Sequence, residues 1–335
     1  MHVGKSYKFG EFLFWTRRKV YVLLALNIVP VILYETAGQE WISIPWTVVA
    51  LLGTATAFTV GFKNTQTYNR TNEAQQVWTS IISLSRSWAL FSRDFFDSPD
   101  TRRELIYRHM AWLTALRYDM RSQRPWETIN RKQNAEYQRF YNVAEKDIPL
   151  DQELAKFISG DERTIVLKAG NTAACILANQ GKVLRKAYDT QQLQIAQFLE
   201  MEKGIKEFYI SQTKSEQLKN SPYPRQYAII NRFFIRIFCL LLPFGLLKDF
   251  DKLNELVDGI MKGHMVWLVI PFSIVTSWMY TSLEQVGEST ENPFEGSAND
   301  VPLTQICRDI EIELRELLEE KNIPARLYPQ HDIIL

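Results

Sequence analysis

The side chains of this 335-residue chain that could do covalent or acid–base chemistry are dispersed. His2, His109, His264 and His331 lie far apart and show no metal-ligand spacing. Cys175, Cys239 and Cys307 are odd in number and widely separated, which fits a reducing compartment and argues against a disulfide framework. No nucleophile motif or phosphate loop is present, so an enzyme reading lacks support and neither a cofactor nor a metal is expected. His109 reads as a helix-face or packing histidine. With 39 Lys and Arg against 38 Asp and Glu, no bulk charge argument points to nucleic acid, and none is expected as a partner. What the spacing does offer is the chemistry of a pore. Thr54, Phe58 and Phe62 recur every four residues and fall on one slowly drifting helix stripe. A narrow ring of apolar side chains resists wetting and closes a pore without a plug, while a ring of hydroxyls eases wetting. Phenyl edges toward the axis favour anions and faces favour cations, so the sign of the permeant ion depends on rotamers.

These residues sit in Pro45–Phe62, an uncharged run close to the length that crosses a bilayer core. Its second half is crowded with Gly53, Ala55, Thr56, Ala57, Thr59 and Gly61. Taken by itself, the run reads as a plain packed transmembrane helix with small residues at its contacts. The rest of the chain changes that reading. A first apolar run, Val20 to about Tyr34, follows Arg17-Arg18-Lys19, which places its start in the cytoplasm; the link over 35–43 carries Glu35 and Glu40 and no Lys or Arg. Trp41 and Trp46 suit the headgroup level, and Lys63 and Arg70 meet the second run on its return. A third run, Tyr227–Leu247, follows the rigid entry Ser221-Pro222-Tyr223-Pro224. Its Arg232 and Arg236, one turn apart, are costly in lipid, and either snorkel to the interface or pair or line a pore. Lys248–Lys262 is polar, and His264–Tyr280 is a fourth run.

Between the pairs, about 165 residues read as soluble helices. Val77, Ile81, Leu84, Trp88 and Phe91 mark an apolar stripe that continues the second run into the cytoplasm. Ser98-Pro99-Asp100 ends it, and further helices are expected over about 100–122, 133–145, 150–158, 170–187 and 189–219. After a turn-rich loop over 291–300, Val301-Pro302 opens an amphipathic helix to about Lys321, and the remainder is extended.

Four strings in this order resemble the bestrophin family, more closely its bacterial branch: AFTVGF at 57–62, YRHMAWLTALRYDMR at 107–121, SEQLKNSPYPRQY at 215–227, and ENPFEGSANDVPLTQICRDIEIELRELL at 291–318. The resemblance implies an all-α homopentamer with one pore on its five-fold axis and passive conduction of small monovalent ions, chloride and other anions above all. It places the hydrophobic neck at Thr54, Phe58 and Phe62 and a cytoplasmic aperture around Ile195–Leu199, here assigned to Ile195. It gives Glu216, Pro222 and Pro224 to the entry of the third span, and Asn292, Pro293 and Phe294 to the loop after the fourth. Thr54 departs from the aliphatic residue usual at the neck. The run Glu295-Gly296-Ser297-Ala298-Asn299-Asp300 has too few carboxylates for the animal members' calcium clasp.

The expected organisation is a cytoplasmic segment 1–19, a helix pair with the pore helix over 20–62, a helical cytoplasmic domain 63–224, a second pair over 225–285, and a cytoplasmic tail 286–335. Four spans put both termini in the cytoplasm of a cell membrane, the inner one in a Gram-negative cell. The partners are the chain's own copies, the bilayer and the permeant ions. The competing readings are a cation-permeable channel of the same architecture, a membrane-anchored scaffold without conduction, and a secondary transporter, which the unlike span pairs disfavour.

Overall fold

Helix α2, Trp46–Phe95, runs without interruption for 50 residues, as the continued apolar stripe predicts. It contains no proline, and its two glycines fall in the apolar part. The computed structural model describes residues 1–131, 134 and 138–335. Among them no strand forms, and the only pairings of that kind are isolated bridges of Ile333 to His2 and Gln330. The chain divides into two compact units, one of residues 5–69 and 223–291, the other of 1–4, 70–222 and 292–335.

The first unit holds α1 (Phe9–Glu35), the start of α2, α9 (Arg225–Lys252) and α10 (Val269–Ser289). Three helical stretches among the described residues are long and apolar enough to cross a membrane: Glu40–Phe95, Arg225–Glu255 and Met265–Ser289. Helix α1 is not among them. Its uncharged run over 20–34 lies between Arg17-Arg18-Lys19 and Glu35, short of the roughly 20 residues a bilayer core asks of a helix. Polar contacts tie α1 to α10 instead. Trp278 Nε1 donates to Thr16 Oγ1 at 3.0 Å, and Gln285 Nε2 to the Trp15 carbonyl at 3.1 Å.

Close approach of α2 to α9 depends on glycine. A Cβ at Gly53 would lie 2.7 Å from the Phe238 ring, which is itself held 4.7 Å from Tyr280. The Tyr280 hydroxyl in turn donates to the Gly53 carbonyl at 3.1 Å. Gly53→Ala overpacks this contact, and we expect it to lower stability by about 1–3 kcal/mol, read as a fall in melting temperature in detergent.

The second unit is built on α3 (Pro99–Arg121), which is buried along most of its length. Ser98 caps it, accepting from Thr101 N, with Pro99 at the first helical position. Around α3 lie α4 (Ala144–Asp147), α5 (Leu150–Leu154), α6 (Gly160–Lys168), α7 (Thr172–Asp189), α8 (Ile195–Asn220) and α11 (Leu303–Leu317). The core includes Trp78, Trp88, Trp112, Phe208 and Phe294. His109 is a packing residue within it. Its Nε2 meets Ser85 Oγ at 2.9 Å, its ring lies 4.7 Å from Phe208, and burial pushes its pKa down to about 3.

Several boundaries differ from the sequence reading. The helix expected over 150–158 ends at Leu154, and α6 was not anticipated. Helix α8 starts at Ile195 rather than near 189, because Gln191 adopts a positive φ of 58° and Gln194 and Gln197 form a capping box. Of the helix expected over 133–145, residues 132, 133 and 135–137 lie outside the described residues, while Gln138–Phe140 is a 3₁₀ turn.

Candidate pore helix and its surroundings

Along the part of α2 in the first unit the buried positions are Val49, Gly53, Thr56, Val60, Lys63 and Thr67, spaced alternately by four and three residues. That spacing is a seam of the kind that packs against neighbouring helices. The stripe of Thr54, Phe58 and Phe62 lies off this seam. Thr54 is exposed, Phe58 is 82% exposed and Phe62 57%. The small residues Ala55, Ala57, Thr59 and Gly61 are exposed beside them. Thr54 Oγ1 donates to the Ala50 carbonyl at 2.9 Å, which leaves the hydroxyl oxygen able to accept. One protomer therefore presents two bare phenyl rings on a face of small residues.

The sequence reading missed the carboxylates that hold the charges of this unit. Glu284 and Glu288, four residues apart, share one face at the end of α10, and Glu291 lies two residues past its last residue. Arg232 of α9 contacts Glu288 at 2.5 Å and Glu284 at 3.6 Å, and Lys19 of α1 reaches Glu284 at 3.1 Å. Lys63 of α2 lies 3.6 Å from Glu291, and Arg225 lies 3.3 Å from the same carboxyl group. Of the two alternatives open for the α9 arginines, pairing thus holds for Arg232. Arg236 is exposed and forms no ion pair among the described residues, as a snorkelling side chain does. The spacing of the glutamates was a signal; its meaning depended on partners distant in the sequence, up to 265 positions away.

The second unit contains the other residues that the motifs single out. Ile195 is 54% exposed and Leu199 52%, both on the first turns of α8. Glu216 accepts from Asn171 Nδ2 and Gln212 Nε2, each at 2.8 Å, and so ties α8 to the start of α7. Pro222 is half-buried, and Pro224, at the head of the first unit's third apolar run, is the N-terminal cap of α9. Asn292, Pro293 and Phe294 are buried, with the Phe294 ring 6.5 Å from Trp78.

Glu295 is buried too. It accepts from Thr128 N at 2.9 Å, Thr128 Oγ1 at 3.2 Å and Asn292 Nδ2 at 3.2 Å. Burial, with Asp300 and Glu127 adding repulsion, pushes its pKa up to about 8, against the hydrogen bonds from Thr128 and Asn292. The fold therefore holds a proton there that the unfolded chain releases above about 4.5. The stability this proton supplies is fully present in acid and is lost as pH rises through about 8. Glu295→Gln is expected to stabilise the protein by on the order of 2–3 kcal/mol at alkaline pH and to flatten that loss. Denaturation of both proteins from below the ordinary carboxylate value of 4.5 to above 8 checks this; parallel pH profiles across that window contradict it.

A family model described as Bacterial/Fungal Bestrophin protein matches residues 14–316, almost the full chain. The chain belongs to this family. Bestrophin relatives include the voltage-dependent anion channel-forming protein YneE of Escherichia coli K12, 25% identical over 280 residues, 84% of this chain and 79% of YneE. A protein of the same description from Mesorhizobium japonicum is 22% identical over 283 residues, 83% of this chain and 78% of its own length. Among solved structures, a bacterial bestrophin homolog from Klebsiella pneumoniae superposes with a TM-score of 0.76 at 21% identity, covering 91% of this chain and 99% of that one. The likeness to that structure is one of fold. The all-helical membrane architecture read from the sequence is therefore that of a bestrophin.

Proposed function

We propose that this bestrophin is an anion channel, assembled as a homopentamer whose neck is formed by Thr54, Phe58 and Phe62. One observation carries the reading. The stripe lies off the buried seam of α2, so it is free for an axis, while the small residues beside it suit close contact with neighbouring copies. Phenyl rings exposed among alanine, glycine and threonine suit a constriction, since five rings narrow a pore to the point of dewetting. The description of YneE and other relatives as anion channel-forming proteins supports anions as the permeant class.

In this assembly α1 is a fourth span, completed on the cytoplasmic side by Phe12, Leu13, Phe14 and Trp15. Arg17-Arg18-Lys19 then places both termini in the cytoplasm of the cell membrane, the inner membrane of a Gram-negative cell. Ile195 forms the cytoplasmic aperture, with Leu199 one turn along α8. The purified protein tests the reading. Native mass spectrometry is expected to give five copies of the 39.2 kDa chain, and liposomes containing it are expected to release chloride. A monomer without flux fits a membrane-anchored scaffold and contradicts the reading; potassium flux in place of chloride fits a cation channel.

A further inference from the structure

Lys63 is the residue after Phe62, and it is 3% exposed. Its ammonium lies 3.6 Å from Glu291, just past the end of α10, and 5.9 Å from the centre of the Tyr223 ring. Glu291, 2% exposed, also meets Arg225 at the first turn of α9, 3.3 Å away. Among the described residues Glu291 is the carboxylate within ion-pair reach of Lys63. A second close contact adjoins this one: a Cβ at Gly287 would fall 2.2 Å from Asn64 Oδ1 and 3.8 Å from Lys63 Cε. Three separate strings of the sequence thus meet at one side chain. Lys63 directly follows Ala57–Phe62, Tyr223 and Arg225 belong to Ser215–Tyr227, and Glu291 opens the Asn-Pro-Phe segment.

We infer that Lys63, caged by Glu291 and Tyr223, is a positioning residue that fixes the rotation of α2 and so the direction in which Phe62 points. The inference rests on the neck proposed at Thr54, Phe58 and Phe62. Neighbouring residues of a helix stand about 100° apart around its axis. Turning Phe62 away from the pore therefore drags Lys63 out of its cage. Withdrawing the lysine leaves the buried Glu291 without one of its counter-charges, so the ion pair resists that turn. Gly53 against Phe238, and Asn64 against Gly287 of α10, add steric stops along the same helix. The pair acts on conduction through Phe62, without touching the ion.

The test uses the full-length protein in planar bilayers, with Lys63→Met, Lys63→Arg, Glu291→Gln and the double variant Lys63→Met/Glu291→Gln. Single variants leave one buried charge uncompensated and can fail to assemble; the double variant removes both charges and is the decisive one. Two readouts are followed: unitary current, and the rate at which a charged, membrane-impermeant thiol reagent modifies Phe62→Cys in each background. Cys239 and Cys307 are buried and Cys175 half-buried, so the parent protein with Phe62 intact sets the unreactive baseline. The double variant is expected to assemble, to change unitary current by about threefold or more, and to slow modification at position 62 by about tenfold, with effects of the two substitutions that do not add. Lys63→Arg, which keeps the charge, is expected to retain at least half the parent modification rate. A double variant that assembles with parental current and parental modification rate overturns the inference. Phe58→Ala is recorded alongside. If it changes the current while the double variant does not, the neck stands and the cage falls; if neither changes it, both fall.

Discussion

Phe58→Ala is expected to raise single-channel current by about threefold or more, with assembly unchanged, because it removes one of the two phenyl rings of the proposed constriction. Phe58 makes little contact within its own protomer, being 82% exposed, so the substitution opens no cavity in the subunit core. In the proposed pentamer its effect is felt at the axis. Thr54→Ile works in the opposite sense. It replaces a hydroxyl with an apolar branch one turn away, removes a group that eases wetting, and is expected to cut the current to about half or less. The two substitutions together separate a dewetting neck from a plain packed span. In a packed span neither substitution moves the unitary current, and equal currents in all three proteins would place the constriction elsewhere.

Arg121→Met is expected to destabilise the fold by about 3–5 kcal/mol, the largest loss foreseen for one side chain. Arg121 and Asp300 are both buried, and Arg121 Nη1 contacts Asp300 Oδ2 at 2.6 Å. The same oxygen accepts from Gly296 N at 2.6 Å, and the other accepts from Val301 N at 2.6 Å. Burial pushes the Asp300 carboxyl up, while Arg121 and these backbone donors oppose the shift. Without the guanidinium, a carboxyl inside the 292–302 segment loses its counter-charge, and the segment loses the anchor joining it to α3. Asp300→Asn in the Arg121→Met background is expected to recover part of the loss, since it removes the stranded charge. Chemical denaturation in detergent measures both; a loss below about 1 kcal/mol for Arg121→Met would show the pair to be weakly coupled to folding.

The features set by local pattern were legible in the sequence. The 3.6-residue period exposed α2 and its stripe, the Ser98-Pro99 signal fixed the start of α3, and Pro224 fixed that of α9. Boundaries set by weak periodicity were not. Helix α6 carries Ile165 and Leu167 on exposed positions, so it has no apolar face to announce it. The start of α8 turned on the φ of Gln191, which no pattern in the residues signals. Charge partners were the least legible. Arg232 and Arg236 could be marked as costly, yet Glu284, Glu288 and Glu291 matter only because α1, α2 and α9 converge on the end of α10 and the residues just after it, and convergence of that kind is a property of the fold.

The most direct test of the central claim is the reversal potential of the purified protein in a planar bilayer under a potassium chloride gradient. An anion channel with its neck at Thr54, Phe58 and Phe62 predicts discrete steps that reverse close to the chloride equilibrium potential. Reversal close to the potassium potential, or no steps at all, would contradict it.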